Sequence, residues 1–320
     1  MKQKTIGNET RINRWGYFFV LPFVIVFLVF NLYPTFYTFM LSFTDLKGLR
    51  QAFAFVGLKN FAKLVQDKYF WGAVGNTFIM WGWNFAPQIG IALLLSIWLS
   101  DIRLKLKCKG FFRAIIYMPN LLTAASVAML FRSLFGYPVG PVNQFLNNWL
   151  GIYAEVVRDG QTIREAFNFY RDVAASRGIV AFIQWWMWYG NTVIMLMAGI
   201  TSISNSLYES AVVDGANSRQ TTWYITLPLL RPMMLYILVT SMIGGMQMLE
   251  VPFLLTDMRG SPDFKIRTTT VYLYNMAFQG VNDYAYAAAI SIGVFIITII
   301  LALFIFFFLQ DRSELKCRKH

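Results

Sequence analysis

Few side chains in this sequence could do chemistry, and most of those sit inside long apolar runs. One run holds Gln184-Trp185-Trp186-Met187-Trp188-Tyr189-Gly190-Asn191, in which Trp185, Trp188 and Asn191 fall at i, i+3 and i+6, roughly one helix face. Another holds Ser241, Gly244-Gly245, Gln247 and Glu250, and a third holds Asn84 and Gln88. Aromatic faces with amides and hydroxyls beside them suit a polyhydroxylated ligand, whose C–H surfaces stack and whose hydroxyls need fixing. The competing assignments are structural. Trp and Tyr also form interfacial belts, paired glycines let helices approach, and Asn84 and Gln88 can hydrogen-bond between helices. Glu250 is an ionisable group in an apolar run, which is costly and implies a cavity or a partner. Arg132 stands at a similar depth in another run, so Glu250 reads either as a carboxylate at a cavity mouth or as one arm of a charge pair.

The sequence assigns no catalytic and no metal-binding residue. Its one histidine is His320 and its two cysteines are Cys108 and Cys317, too few for a zinc cluster, a disulfide framework or His-based catalysis. It contains no G-x-x-x-x-G-K-[ST] phosphate loop, so this chain is expected to bind no nucleotide cofactor itself.

The elements that must position these residues are membrane helices. The 320 residues are 57% hydrophobic and 14% charged, with a net charge of +12. Soluble domains average about 45–50% apolar and about 25% charged. About 20 helical residues cross a bilayer core of about 30 Å. Six runs are long enough: 15–43, 71–99, 114–135, 179–199, 233–255 and 284–309. The predicted fold class is all-α, a polytopic membrane protein of six transmembrane helices. The first run is too long for a signal-peptide core and is read as a retained helix. Segments 1–14, 100–113, 200–232 and 310–320 are about twice as dense in Lys and Arg as 44–70, 136–178 and 256–283. That asymmetry places both termini in the cytoplasm. Its sharpest part is Arg103, Lys105, Lys107, Lys109 and Arg113. The positive charge thus reads as topology and contact with membrane lipid, not as nucleic-acid binding. Cys108 and Cys317 then face a reducing compartment and are expected to stay unpaired. Pro22, Pro34, Pro87, Pro119, Pro228, Pro232 and Pro252 lie in or beside the spans, where each removes a backbone donor and bends or is tolerated.

Loop 200–232 is the most informative segment. Over 203–213 the spacing predicts a short amphipathic helix, with Ile203, Leu207 and Ala211 on one face. Asp214-Gly215 breaks it, glycine being free to adopt a left-handed conformation at a helix end. Asn217 or Ser218 can cap a second helix, predicted to end at Leu227-Pro228. Two short helices at an angle make a knob suited to a groove on another protein.

Glu209-Ser210-Ala211, three residues, Gly215, nine residues and Ile225-x-Leu227-Pro228 match the E-A-A, G, I-x-L-P signature of ABC-importer permeases, with Ser210 where alanine is usual. Val213-Asp214-Gly215-Ala216, and the run Ile225 to Pro232, resemble the carbohydrate branch of that family. So do Leu21-Pro22 with Leu32-Tyr33-Pro34, Phe55-Val56-Gly57-Leu58-Lys59-Asn60-Phe61, and Thr268-Thr269-Thr270-Val271-Tyr272. The resemblance covers nearly the whole chain and fits 151–178 least.

The resemblance implies a permease subunit in a bacterial cytoplasmic membrane, importing carbohydrate, such as an oligosaccharide, by alternating access. It implies that Glu209, Ser210, Ala211, Asp214, Gly215, Ile225, Leu227 and Pro228 couple the chain to a cytoplasmic ABC ATPase dimer, which holds the ATP and Mg. The implied further partners are a second homologous permease subunit, an extracellular or periplasmic solute-binding protein, and the sugar itself. The family's substrate sits midway through the membrane between the helices flanking the motif loop. That location agrees with Trp185, Trp188, Asn191, Ser241, Gly245, Gln247, Asn84 and Gln88 as pathway residues. Glycerol phosphate or a polyol is the alternative cargo. An independent secondary transporter, or a membrane enzyme acting on lipid-linked sugar, is the alternative class.

The expected organisation is a tail at 1–14, a transmembrane domain at 15–309 with motif loop 200–232 and outer loop 136–178, and a tail at 310–320. In the outer loop Ile163, Ala166, Phe167, Tyr170 and Ala174 follow helical spacing, which predicts a surface helix that docks the binding protein or caps the helix ends.

Overall fold

A computed structural model describes residues 6–48, 53–100, 107–158, 161–280 and 282–309. Arg103 and Lys105 of the basic cluster, and the tail 310–320 with Cys317 and His320, lie outside these described residues, as do residues 1–5.

In chain order the helices begin with α1 (Ile6–Phe27), α2 (Tyr33–Leu41), α3 (Lys59–Gln66), α4 (Lys68–Ser100), α5 (Lys109–Tyr117), α6 (Ala124–Leu134) and α7 (Pro141–Trp149). Strands β1 (Ala154–Arg158) and β2 (Gln161–Glu165) follow, then α8 (Val173–Thr201), α9 (Asn205–Val213), α10 (Ser218–Thr221) and α11 (Leu227–Leu229). The chain continues through α12 (Arg231–Met246), α13 (Glu250–Leu255), α14 (Thr269–Phe278) and α15 (Tyr284–Leu309). Five spans among the described residues are long and apolar enough to cross a membrane: Gly16–Leu41, Lys68–Ser100, Val173–Thr201, Arg231–Leu255 and Tyr284–Phe307.

The expected third span is corrected. Lys109–Leu121 and Ala124–Leu134 are two arms bent by 83°, and they make a sixth span only if the pair is counted as one. The cause is local. Pro119 cannot donate, the chain tightens into a 3-10 turn over Met118–Leu121, and Thr123 leaves helical geometry to cap α6 through its own hydroxyl.

The chain forms two compact units. The first comprises residues up to Gln66 with Met276–Gly293. Its first span passes through a wide π-type turn at Leu28–Leu32, which delivers Pro34 to the first turn of α2. Thr35 and Thr38 return their hydroxyls to the Asn31 and Pro34 carbonyls at 2.7 and 2.8 Å, as threonines do in helices that have no water to turn to. The side chains along this span are exposed almost throughout, as expected of a surface meant for lipid or another subunit. Polar anchors organise the rest. Asn60 donates to the Ser42 and Thr44 carbonyls, and Asp283 accepts from the Tyr286 N–H at 3.0 Å to start α15. The Lys63 ammonium stands 3.7 Å over the Tyr286 ring and 4.0 Å from the Asp283 carboxylate.

The second unit, Asp67–Asn275 with the residues from Val294 on, is built on α4 packed along α8. Met80, Ile183, Val180, Val127 and Ile266 form one buried cluster; Ala92, Val193, Leu196 and Ile237 form another. Between them Gln88 donates to the Thr192 hydroxyl at 2.8 Å. At one end Arg267 is buried among the rings of Tyr69, Phe264 and Tyr272, with centroids at 5.3, 4.3 and 4.8 Å. Burial lowers the Arg267 pKa from its ordinary value, and Tyr272, Asp67 and Tyr69 oppose that shift. Arg177 bonds the Asn76 amide oxygen at 2.7 Å, and Asn76 bonds the Phe264 carbonyl at 2.8 Å, tying α8 and α4 to that segment.

The surface helix expected from Ile163 to Ala174 is not formed. Ile163 lies on β2, which pairs antiparallel with β1 so that Arg158 faces Gln161. Ala166, Phe167 and Tyr170 lie in irregular chain, and Ala174 belongs to α8, which Asp172 caps by accepting from the Ala175 N–H at 2.7 Å. Tertiary contacts outweigh the periodicity. Phe169 packs against Phe135 at 5.0 Å and Phe167 at 4.9 Å, and the Tyr170 hydroxyl donates to the Phe131 carbonyl at 2.9 Å. Burial pushes the Tyr170 phenol up to about 12, against the opposing field of Arg132.

Gly190 marks a close approach of two helices in this unit. A side chain there would run into the Ile116 carbonyl and lie 3.0 Å from the Tyr117 Cα. Gly190→Val should force α5 away from α8 at a cost of about 1–3 kcal/mol. A thermal melt of the purified complex should show a lowered Tm; an unchanged Tm would mean that the helices do not pack this closely.

Candidate functional site

Two features of the second unit carry candidate function, a two-armed knob at loop 200–232 and a cavity beside α8 and α12. The knob's first arm, α9, ends with Gly215 at φ +77°. The Ala216 N–H reaches the Ala211 carbonyl at 2.8 Å and the Gly215 N–H reaches that of Val212 at 3.1 Å, the paired bonds of a Schellman end. Two residues later Asn217 and Gln220 form a reciprocal capping box at 2.8 and 2.9 Å. The corner between the arms therefore satisfies its own backbone. Tyr208 and Thr226 join the arms by a 3.2 Å hydroxyl bond.

Ala211 and Ile203 are buried, but Leu207 is 44% exposed, which corrects the expected single face. Ile203 precedes α9 and so does not follow its periodicity. The second arm also departs from expectation. It does not end at Leu227-Pro228: a π-type turn over Thr222–Thr226 places Pro228 in the first turn of α11, and the break falls at Leu230, where ψ is −7°. Glu209, Ser210, Asp214, Gly215 and Pro228 are exposed, and Ile225 and Leu227 are half-buried. Val213, 86% exposed, and Tyr224, 79% exposed, add an apolar surface that the motif spacing did not single out. Beneath the knob a cavity of about 440 Å³ is bounded by Ile97 and Ser100 of α4, Ile200 and Thr201 of α8, and the two arms.

The second cavity, about 570 Å³, lies where the span Arg231–Leu255 breaks between α12 and α13. The break strips donors from the last carbonyls of α12. Thr269 and Thr270 bond the Met246 carbonyl at 3.1 Å each, and Thr268 bonds that of Met248 at 2.7 Å. Gly245 admits the Trp81 ring, whose Cγ lies 2.8 Å from where a Cβ would stand, and the Trp81 indole donates to Ser241 at 3.2 Å. Among the described residues no group of three His, Cys, Asp or Glu side chains is placed to hold a metal ion.

Residues 92–316 match the family described as binding-protein-dependent transport system inner membrane component. The chain belongs to this family. This permease is 30% identical to the lactose transport system permease protein of Rhizobium radiobacter, over 85% of this chain and 86% of that protein. It is equally similar to the arabinooligosaccharides transport system permease protein of Bacillus subtilis (strain 168), over 85% of this chain and 81% of that one. A solved structure of a bacterial ABC transporter involved in the import of the acidic polysaccharide alginate has a chain with the same fold, at TM-score 0.74 and 25% identity, over 96% of this chain and 99% of that one.

In the permease Asn84, Gln88, Trp188, Asn191, Ser241, Gly245 and Gln247 all line the cavity at the break, together with Gln184 and Glu250. Trp185 does not. It packs along its own helix against Phe182 at 5.3 Å and Tyr189 at 5.9 Å. The stripe of α8 that faces the cavity is Gln184, Trp188, Asn191 and Met195, spaced i, i+4, i+7 and i+11, and Trp185 lies about 100° around the helix from its first member. The Glu250–Arg132 pair is not formed. Arg132 donates to the Leu254 carbonyl at 3.1 Å, and Glu250 stays exposed at the cavity.

Thr268→Val keeps the shape of the side chain and leaves the Met248 carbonyl short of a donor, which should cost about 1–3 kcal/mol. Thr268→Ser should restore the loss. Comparing the Tm of both variants with wild type in the purified complex measures it, and equal values would show that the carbonyl has another donor.

Proposed function

We propose that this permease is one half of the membrane pathway of an ATP-driven saccharide importer. A second, related permease chain supplies the other half, and a cytoplasmic ATPase dimer grips the knob. The reading takes its cargo class from the sugar-transport relatives and from a cavity that sets the Trp188 ring beside Asn84, Gln184 and Asn191. The density of basic residues at 1–14, 100–113 and 310–320 supports a cytoplasmic position for both termini, and alternation of the spans puts the knob on the same side. A solute-binding protein delivers cargo to the opposite face.

The observation that carries the coupling role is the self-capped corner at Gly215. An arm held by its own backbone bonds moves as one piece when a partner pulls it. ATP binding draws the ATPase halves together, the knobs follow, and the helices turn the cavity outward; hydrolysis returns it inward. Each partner shifts this equilibrium only by binding one state better than the other.

The test has two parts, both on the assembled complex. With Cys108 and Cys317 replaced by serine, Val213→Cys should cross-link to a cysteine placed in the ATPase cleft, with a yield that changes on adding ATP. The absence of any adduct would overturn the reading. Gly215→Val should strain the left-handed corner by about 1–2 kcal/mol and abolish uptake while leaving ATP hydrolysis. Gly215→Asn, which tolerates that conformation, should retain uptake. Normal uptake by the valine variant would refute coupling through this corner.

A further inference from the structure

The cavity at the helix break has a polarity that names the chemistry of its occupant more narrowly than the word saccharide. Glu250 is the one ionisable side chain that lines it among the described residues, and no Lys, Arg or His faces it. Its neutral groups lean the same way. The Thr192, Thr240 and Thr270 hydroxyls spend their protons on the carbonyls of Trp188, Tyr236 and Met246, at 3.3, 2.8 and 3.1 Å. The Gln88 amide spends a proton on Thr192. The threonines leave oxygen lone pairs open, while the Ser241 hydroxyl, which accepts from the Trp81 indole, keeps its own proton. Asn84 lines the cavity, although its amide oxygen is itself buried and has no partner. The amides of Gln184 and Gln247 carry donors and acceptors alike.

A carboxylate or phosphate ligand needs the opposite, a cation or several free donors. Hydroxyl and ammonium groups are donors that fit what is present. We infer that the cavity is a charge filter, in which Glu250, with no basic side chain among the described residues of this chain that line it, admits uncharged or amino-substituted saccharide units and rejects uronate and phosphate groups. This rests on the importer reading for the cargo being a saccharide, while the electrostatic part stands on the cavity alone. One unit of charge near Glu250 in a partly wet cavity should change occupancy on the order of tenfold.

The experiment uses the full complex in membrane vesicles, with Cys108 and Cys317 replaced by serine and Gln184→Cys as a reporter thiol facing the cavity. Its rates of modification by a trimethylammonium-ethyl and by a sulfonato-ethyl methanethiosulfonate are compared with those of free glutathione. The cationic reagent should be favoured about tenfold over the glutathione ratio. Glu250→Gln should bring the preference to within about twofold of glutathione, and Glu250→Asp should preserve it. A preference that survives Glu250→Gln, or a thiol that neither reagent reaches, overturns the proposal. Uptake of a neutral and a uronate oligosaccharide in the same vesicles separates the two readings. A Glu250-dependent preference without ATP-driven uptake of either sugar would refute the importer reading alone. Uptake of both sugars at equal rates would refute the filter.

Discussion

Inside a bilayer a carbonyl that loses its helical donor has no water to replace it. The span Arg231–Leu255 is interrupted after Met246, and it survives because the Thr268, Thr269 and Thr270 side chains bring their hydroxyls to the Met246 and Met248 carbonyls. The Thr269 N–H is fixed in turn by the Thr77 hydroxyl at 3.0 Å, so the break is tied to α4 as well. Were the span a continuous helix, Gln247, Leu249 and Glu250 would follow one another around its surface. The interruption instead sets them at the wall of a cavity that α4 and α8 close. Much of the polar chemistry of the second unit therefore depends on three hydroxyls in a row.

The knob solves the converse problem. It projects from its unit and cannot borrow donors from a core, so its backbone ends are closed by neighbours in sequence. The Schellman bonds end at the Ala216 N–H and the capping box begins at Asn217, with no residue between them. Each is worth about 1 kcal/mol or less. Their value here is geometric, since they fix the angle between α9 and the second arm without help from elsewhere.

What could be read from the sequence follows the same division. The corner at Gly215 and the cap at Asn217 were legible because their bonds span three to five residues, and the spacing of residue types encodes them. Asn84, Gln88, Asn191, Ser241 and Gln247 were legible as polar residues where apolar ones are cheaper, and only the family resemblance grouped them on one pathway. Trp185 was misplaced because its spacing from Trp188 and Asn191 drifts around the helix, and the true stripe begins one residue earlier at Gln184. The bend at Leu122 and Thr123 was hidden by a run apolar enough to look continuous. The hairpin at 154–165 was hidden by a helical period that Phe169 and Tyr170 override through contacts with Phe135 and Phe131. For the hairpin the deciding partners lie far along the chain, where local pattern carries no information; the bend and the Trp185 stripe turn on residues close in sequence.

The outward-facing side chains of the first span have a consequence for descent. Residues such as Val20, Ile25 and Phe30 are at least half exposed within their unit, so little in it measures their shape. Only their distaste for water is under test. Such a surface is free to exchange phenylalanine for leucine or valine over generations while keeping its character, and this stretch should record ancestry poorly even as its counterparts around Gly190 and Gly245 hold still.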